Sequence, residues 1–366
     1  MENLVKEADN MLNQTFWTGK KVLVTGHSGF KGSWLVIWLK MMGAEVSGYA
    51  LDPLTSNDNF VLSGIENHIV SQTGDIRDIE TLWRFFERQL PEVVFHLAAQ
   101  PLVRYSYKNP KETYDVNVGG TVNVFECCRL SESVRVIVNI TSDKCYENKE
   151  WVWGYRENDR LGGFDPYSSA KACSELVTDA YRKSFFNPDD YPRHGKSLAS
   201  VSAGNVFGGG DWQLDRILPD CIRHLEKGEP IVVRNPHAIR PWQHVLEPLS
   251  GYLLLAENLF MNPGVYEGAW NYGPEDSSFL TVGTLVDAVV TAWGSGSWED
   301  HSDPDAVHEA HLLKLDISKA KALLGWTPVW NIDRAVNETV SWYQQYKSGR
   351  ILEVCQSQIE AYMNGR

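Results

Sequence analysis

KVLVTGHSGFKGSWLVIWLKMM, residues 21–42, holds three glycines at a spacing of three between two apolar runs. The first run, KVLVT (21–25), is short and β-branched, which predicts a buried strand. The second, Ser33–Met42, has the length of a helix and stops at Gly43. A strand, then glycines, then a helix builds a seat for phosphate. Glycine lets the backbone turn and approach an anion with no Cβ in the way. The helix N-terminus adds free N–H groups and a partial positive charge. The glycines are Gly26, Gly29 and Gly32, so the spacing is GxxGxxG and not the commoner GxGxxG. Glycines before helices also serve as plain turns. The stretch therefore points to a dinucleotide, not to a reaction.

Outward from it, strand and helix patterns alternate. AEVSGYAL (44–51), EVVFHLAA (92–99), VRVIVNITS (134–142) and SLASVSAGNVFG (197–208) read as extended. DIETLWRFFERQL (78–90), VNVGGTVNVFECCRL (116–130) and Tyr167 to about Phe186 read as helices. This rhythm predicts an α/β fold, a Rossmann-type doubly wound parallel sheet. It loosens after about residue 190, where GGGDWQLDR and RNPHAIRPWQHV are rich in Gly, Pro, Trp and Arg. We expect a cofactor-binding domain over 1–190, with 1–18 an N-terminal extension. Residues 191–366 are expected to form mainly a smaller C-terminal substrate-binding lobe, with segments crossing back.

The net charge of −13 argues against non-specific binding to nucleic acid or anionic membranes. MENLVKEADN lacks the basic start and apolar core of a signal peptide, and no apolar run approaches membrane-spanning length. A cytoplasmic protein is expected. The six cysteines form no CxxC pair or zinc spacing, which predicts reduced thiols and no metal site.

Asp52 lies 20 residues beyond Gly32, near the end of the second extended run. An acid there can bind the ribose hydroxyls of NAD and repel a 2′-phosphate; a turn residue before Pro53 is the plainer reading. Asp75, in GDIRD, could meet the adenine. YSSAK places Tyr167 and Lys171 at i and i+4 on one helical face. The cation favours the phenolate, which can take a proton from a hydroxyl as hydride leaves. Tyr107 with Lys111 and Tyr343 with Lys347 repeat the spacing. Pro110 discourages a helix at the first, and the second is remote from the glycines. Tyr167 alone follows a strand ending in hydroxyls, TSDK (141–144), where parallel sheets hold their ligands. Arg216, Arg234 and Arg240, interleaved with Trp212 and Trp242, suggest a second phosphate-bearing ligand with a stacked base.

TGHSGFKG, HLAAQ (96–100), TSDK and YSSAK, in this order, resemble the extended short-chain dehydrogenase/reductases that act on nucleotide sugars. The resemblance runs from about residue 18 to 345. AAQPLVRYSY, GNVFGGGDW and RPWQHVLEPLSGY narrow it to members that dehydrate a cytidine diphosphate sugar, and imply CDP-D-glucose as substrate. The resemblance implies NAD as cofactor, held by Gly26, Gly29, Phe30, Gly32, Asp52, Asp75, Ile76, Leu97, Ala98, Ala99, Asn117, Tyr167 and Lys171. It implies substrate contacts at Gln100, Arg104, Asn205, Arg216, Arg234 and Arg240. It places the reaction on Ser142, Tyr167 and Lys171, with Asp143 as the acid for elimination. Lys144 stands where the dTDP-sugar relatives carry a carboxylate base; a protonated lysine is no base, so it either loses its proton or supports an enolate. An epimerase would need no acid beside Ser142, and a non-catalytic NAD-binding protein would need neither Tyr167 nor Lys171. The family also implies a homodimer or a dimer of dimers, through 116–130 and 167–186.

Overall fold

The computed structural model describes residues 12–302 and 312–365. Residues 1–11 of the expected N-terminal extension lie outside them. Seven parallel strands form one sheet. They are β1 (Lys21–Thr25), β2 (Glu45–Ala50), β3 (Val70–Thr73), β4 (Val93–His96), β5 (Val136–Ile140), β6 (Ser197–Ala203) and β7 (Gly268–Tyr272). Their order is β7-β6-β5-β4-β1-β2-β3, so the winding reverses between β1 and β4. A crevice opens at such a switch point, beyond the carboxyl ends of the strands.

Both faces of the sheet are buried, which explains the continuous apolar runs. Val22, Val24, Val93, Phe95, Val136 and Val138 enter one core, while Leu23, Val94 and Ile137 enter the other. The first core is roofed by α1 (Phe30–Met41), α4 (Leu246–Met261) and α5 (Ile351–Met363). The second is roofed by α2 (Thr121–Leu130), α3 (Pro166–Ser184) and the helix Ile79–Gln89. A third core is drawn from later residues: Phe207, Leu218, Ile231, Trp242, Val286 and Val336 belong to it. The chain leaves the sheet after β6 and re-enters it at β7, so strands of the sheet lie on both sides of residue 190.

Two expected elements differ. Residues 116–130 open with a widened turn over Asp115–Gly120 before regular helix begins. The tail of 197–208 breaks into a two-residue strand, Val206–Phe207, after Asn205 takes a left-handed φ of 49°. Among the described residues no helix is long and apolar enough to cross a membrane.

Candidate active site

The glycine loop leaves β1 and enters α1. Gly26 has φ +74°, and a Cβ there would stand 2.7 Å from the Ala98 backbone nitrogen. A Cβ on Gly32 would drive into the Gly26 carbonyl. Both positions need glycine on steric grounds. Gly29 is the N-cap of α1, and no side chain caps the helix there. Its first-turn N–H groups are left to an external anion. A bare cradle and an uncapped helix fit a pyrophosphate.

Neighbouring segments converge on this cradle. Leu97 N–H donates to the Thr25 carbonyl and Ala98 N–H to Thr25 Oγ1, which brings residues 97–99 beside Gly26. Thr25 Oγ1 also pairs with His96 Nδ1 at 2.7 Å, and His96 Nε2 with Thr121 Oγ1 at 3.1 Å. Burial holds this imidazole down at about 3, so it stays neutral. Phe30 packs against Gly208. Asp52 is exposed and accepts from Thr73 Oγ1 at 2.8 Å. Arg77 pairs with Asp75 at 2.6 Å, so that carboxylate already carries a guanidinium. Ile76 packs under Gly120. Asn117 clasps the backbone of Gln100: Oδ1 accepts from its N–H at 2.8 Å, and Nδ2 donates to its carbonyl at 3.1 Å. Asn117 therefore fixes the exit of β4, and Gln100 itself bonds Thr113 and the Leu102 N–H.

The reacting groups meet where β5 ends. Ser142 Oγ donates to Asp143 Oδ1 at 2.9 Å. Asp143 is buried, and its Oδ2 has no partner among the described residues. Tyr167 and Lys171 lie one turn apart on α3, both buried. Pro166 opens α3 and Asp165 caps it, which explains why the helix begins at the tyrosine. Burial pushes the Tyr167 phenol up to about 12, while the Ser142 hydroxyl and the Arg216 charge act the other way. Burial brings the Lys171 amine down to about 8, against the pull of Glu175. Its Nζ donates to the Ile140 carbonyl at 3.2 Å. Lys144 is exposed, and its backbone N–H donates to Ser142 Oγ.

The other two YxxxK matches are excluded by their surroundings. Tyr107 belongs to the helix Val103–Lys108, and Lys111 to a separate one that begins at Pro110. Tyr343 is buried and donates to the Asp211 carbonyl, while Lys347 pairs with Glu226.

Arg216 bonds the buried Asp211 at 2.8 Å and lies within electrostatic reach of Tyr167. Arg234 pairs with Asp215 at 2.7 Å and Arg104 with the same carboxylate at 3.9 Å, so Asp215 gathers two of the predicted substrate arginines. Arg240 lies on the strand Ile239–Pro241. The Asn205 carbonyl accepts from Gln243 N–H. The expected base-stacking tryptophans are a correction. Trp242 is buried in the third core with its indole N–H on the Leu280 carbonyl, and Trp212 packs against Tyr343 and Tyr346. Their apolar area is worth more in the core than at an open stacking platform.

Sequence reasoning passed over Lys31. It stands in the first turn of α1, half-buried, within electrostatic reach of Arg216, Asp143, Lys171 and Asp211. Burial and then the Arg216 charge bring its amine down to about 8. Its place inside the glycine motif was the available signal. Among the described residues, no group of three or more His, Cys, Asp or Glu is placed to hold a metal ion.

The chain is similar to several known proteins. The sequence profile of the family described as GDP-mannose 4,6 dehydratase matches residues 23–339. A CDP-glucose 4,6-dehydratase of Salmonella typhimurium is 50% identical over 97% of this chain and 99% of its own. A dTDP-glucose 4,6-dehydratase of the same organism is 24% identical over 88% of this chain and 92% of its own. Among solved structures, the Streptomyces venezuelae dTDP-glucose 4,6-dehydratase with NAD bound superposes with a TM-score of 0.75 at 23% identity, covering 89% of this chain and 98% of that one. That last likeness is one of fold.

Proposed function

Because the chain belongs to the GDP-mannose 4,6-dehydratase family, within the extended short-chain dehydrogenase/reductases, we propose that it is a lyase converting CDP-D-glucose to CDP-4-keto-6-deoxy-D-glucose. The observation that carries this reading is a buried carboxyl group, Asp143, with one oxygen unpaired among the described residues and the other joined to the Ser142 hydroxyl beside Tyr167. Oxidation at C4 needs only the serine, tyrosine and lysine; an acid beside them serves an elimination. The 50% identity with a CDP-glucose 4,6-dehydratase over nearly both full lengths supports the same substrate.

NAD fits the cradle of Gly26, Gly29 and Gly32, and when bound it supplies the hydride chemistry, accepting at C4 of the sugar and returning at C6. Asp52, exposed at the end of β2, is positioned to favour it over a 2′-phosphorylated cofactor. Ser142 orients the sugar's 4-hydroxyl. Tyr167 takes that hydroxyl's proton as phenolate, and Lys171 stabilises the phenolate from the next turn. With a carbonyl at C4, the C5 proton becomes acidic and passes to a base, leaving the enolate. Asp143 then protonates the 6-hydroxyl, the C6–O bond breaks and water leaves. Lys144, exposed and next to Asp143, supports the enolate. Arg104, Arg216 and Arg234 hold the diphosphate. Two copies assemble through α2 and α3, where Leu130, Leu176 and, just past the end of α3, Phe185 are exposed.

The test is Asp143→Asn in single turnover, enzyme in excess over CDP-D-glucose. Hydride leaves C4 without that carboxyl, so the NADH absorbance should rise and persist. A transient that decays at the parental rate removes Asp143 from the elimination. Incubation of the parent enzyme with CDP-, dTDP-, GDP- and UDP-glucose completes it. A 4-keto product only from the CDP sugar is expected, and CDP-galactose would make the chain an epimerase.

A further inference from the structure

The last residues of β5 and the turn after it act as a rack for one face of α3. Tyr167, Lys171 and Glu175 are spaced by four, so they stack along the helix. Three consecutive residues meet them. Ser142 faces the Tyr167 hydroxyl, the Ile140 carbonyl accepts from Lys171 Nζ, and the Thr141 hydroxyl donates to Glu175. The function of the first two contacts is already assigned; that of the third is not.

Glu175 is only 6% exposed. Among the described residues no ammonium or guanidinium lies within ion-pair distance of it. Its partners are hydroxyls instead: Thr141, with Ser200 and Ser202 from β6. A buried carboxylate without a close cation is costly, and an apolar side chain of like size would serve the fold as well or better. Burial pushes the Glu175 carboxyl up, and the hydroxyls of Ser200, Thr141 and Ser202, followed by the Lys171 charge, pull it back toward the ionised form. Lys171 has the converse problem. It is an ammonium in a dry site with one neutral acceptor, and the nearest buried negative charge on its own helix face is one turn away.

We propose that Glu175 is a positioning residue that keeps Lys171 protonated beneath Tyr167, with the hydroxyls of Thr141, Ser200 and Ser202 keeping Glu175 charged. It rests on the reading above only in giving Tyr167 and Lys171 to the hydride step. Other titratable groups face this pair. Cys145 follows β5, His96 ends β4 and Lys31 approaches from α1 toward Lys171; Cys145 and Tyr146 face Glu175. His96 and the thiol are held neutral by burial, and Lys31 repels the Lys171 proton. Glu175 is therefore the group whose charge favours that proton.

The experiment is a pH titration of the Lys171 side chain by NMR, in ligand-free protein with isotope-labelled lysine, the resonance assigned by its loss in Lys171→Met. The parent midpoint is expected near about 8. Glu175→Gln keeps the shape and removes the charge, so the midpoint should fall by about one pH unit, a tenfold loss of proton affinity. Glu175→Asp should restore most of it. A midpoint that stays put in Glu175→Gln overturns the proposal. Should that variant fail to accumulate folded, Ser200→Ala strips a donor from the carboxylate, and its midpoint must move the same way or the proposal falls. In the pH–rate profile of the first hydride transfer, the acid limb should move to higher pH in Glu175→Gln; a lower rate with unmoved limbs marks a merely structural role. The titration needs no substrate. Enzyme inactive on every sugar nucleotide but with a shifted midpoint would sink the assigned reaction and leave the Glu175–Lys171 coupling standing.

Discussion

The carboxylate of Asp143 lies against the bare Cα of Gly204, so closely that a methyl group there would overlap both of its oxygens. Gly204 follows β6, and its freedom from a side chain is what allows the acid to sit buried beside Ser142. Gly204→Ala should push the carboxylate out of place without touching any polar group. We expect kcat to fall by about 10²-fold or more, the scale of a lost general acid, with NADH still formed at first contact. Parental turnover in that variant would mean the carboxylate has room the structure does not show.

The three YxxxK pairs make a second comparison. Tyr167→Phe should cost about 10²–10⁴-fold in C4 oxidation while folding survives. Tyr107→Phe should turn over normally. Tyr343→Phe loses a buried hydrogen bond to the Asp211 carbonyl, worth about 1 kcal/mol of stability, and should keep its catalytic rate. An inactive Tyr343→Phe that is folded would overturn the assignment.

Gly26 and Gly32 differ from Gly29 in what they exclude. A Cβ at Gly29 would meet only the Gly26 carbonyl, at 3.3 Å, a contact that a small shift relieves. NAD titrations should therefore rank the alanine variants: Gly29→Ala within about tenfold of the parent, roughly 1.4 kcal/mol, and Gly26→Ala and Gly32→Ala without measurable binding. Equal effects at all three would show that steric demand is not what the motif serves.

Buried histidines set the acid stability. Burial lowers His27 to about 4 and His96 and His244 to about 3, against about 6.5 in the unfolded chain. Their folded values are depressed, so below about pH 6.5 the unfolded state takes up protons that the folded state refuses. Stability should be full above that pH and fall toward pH 4, by about 1.4 kcal/mol per unit for each histidine. Urea unfolding measured from pH 7 to 4.5 checks this, and a flat profile contradicts it.

What could be seen in advance follows from range. The strand–glycine–helix unit, the Tyr167–Lys171 pair and the acid at Asp143 are each complete within a few consecutive residues, and local spacing determines them. Asp215 and Glu175 could not be found that way. One matters because Arg104 and Arg234 arrive from distant segments, the other because β5 and β6 bring three hydroxyls to it. Trp242 misled for the opposite reason. An aromatic among arginines has the composition of a stacking site, and only the packing of Val286 and Val336 with it reveals a core residue.

Helix α5 closes over α1, with Tyr362 edge-on to Trp38 at 5.6 Å between ring centroids. Trp38 is wholly enclosed. The helix that starts at the glycine loop is thus sealed by a segment far later in the chain. The core beneath the glycine loop is complete only once Ile351–Met363 is in place. A nascent chain stalled before Ile351 should leave Trp38 open to a fluorescence quencher and should hold NAD poorly, even though every glycine of the seat has already been made.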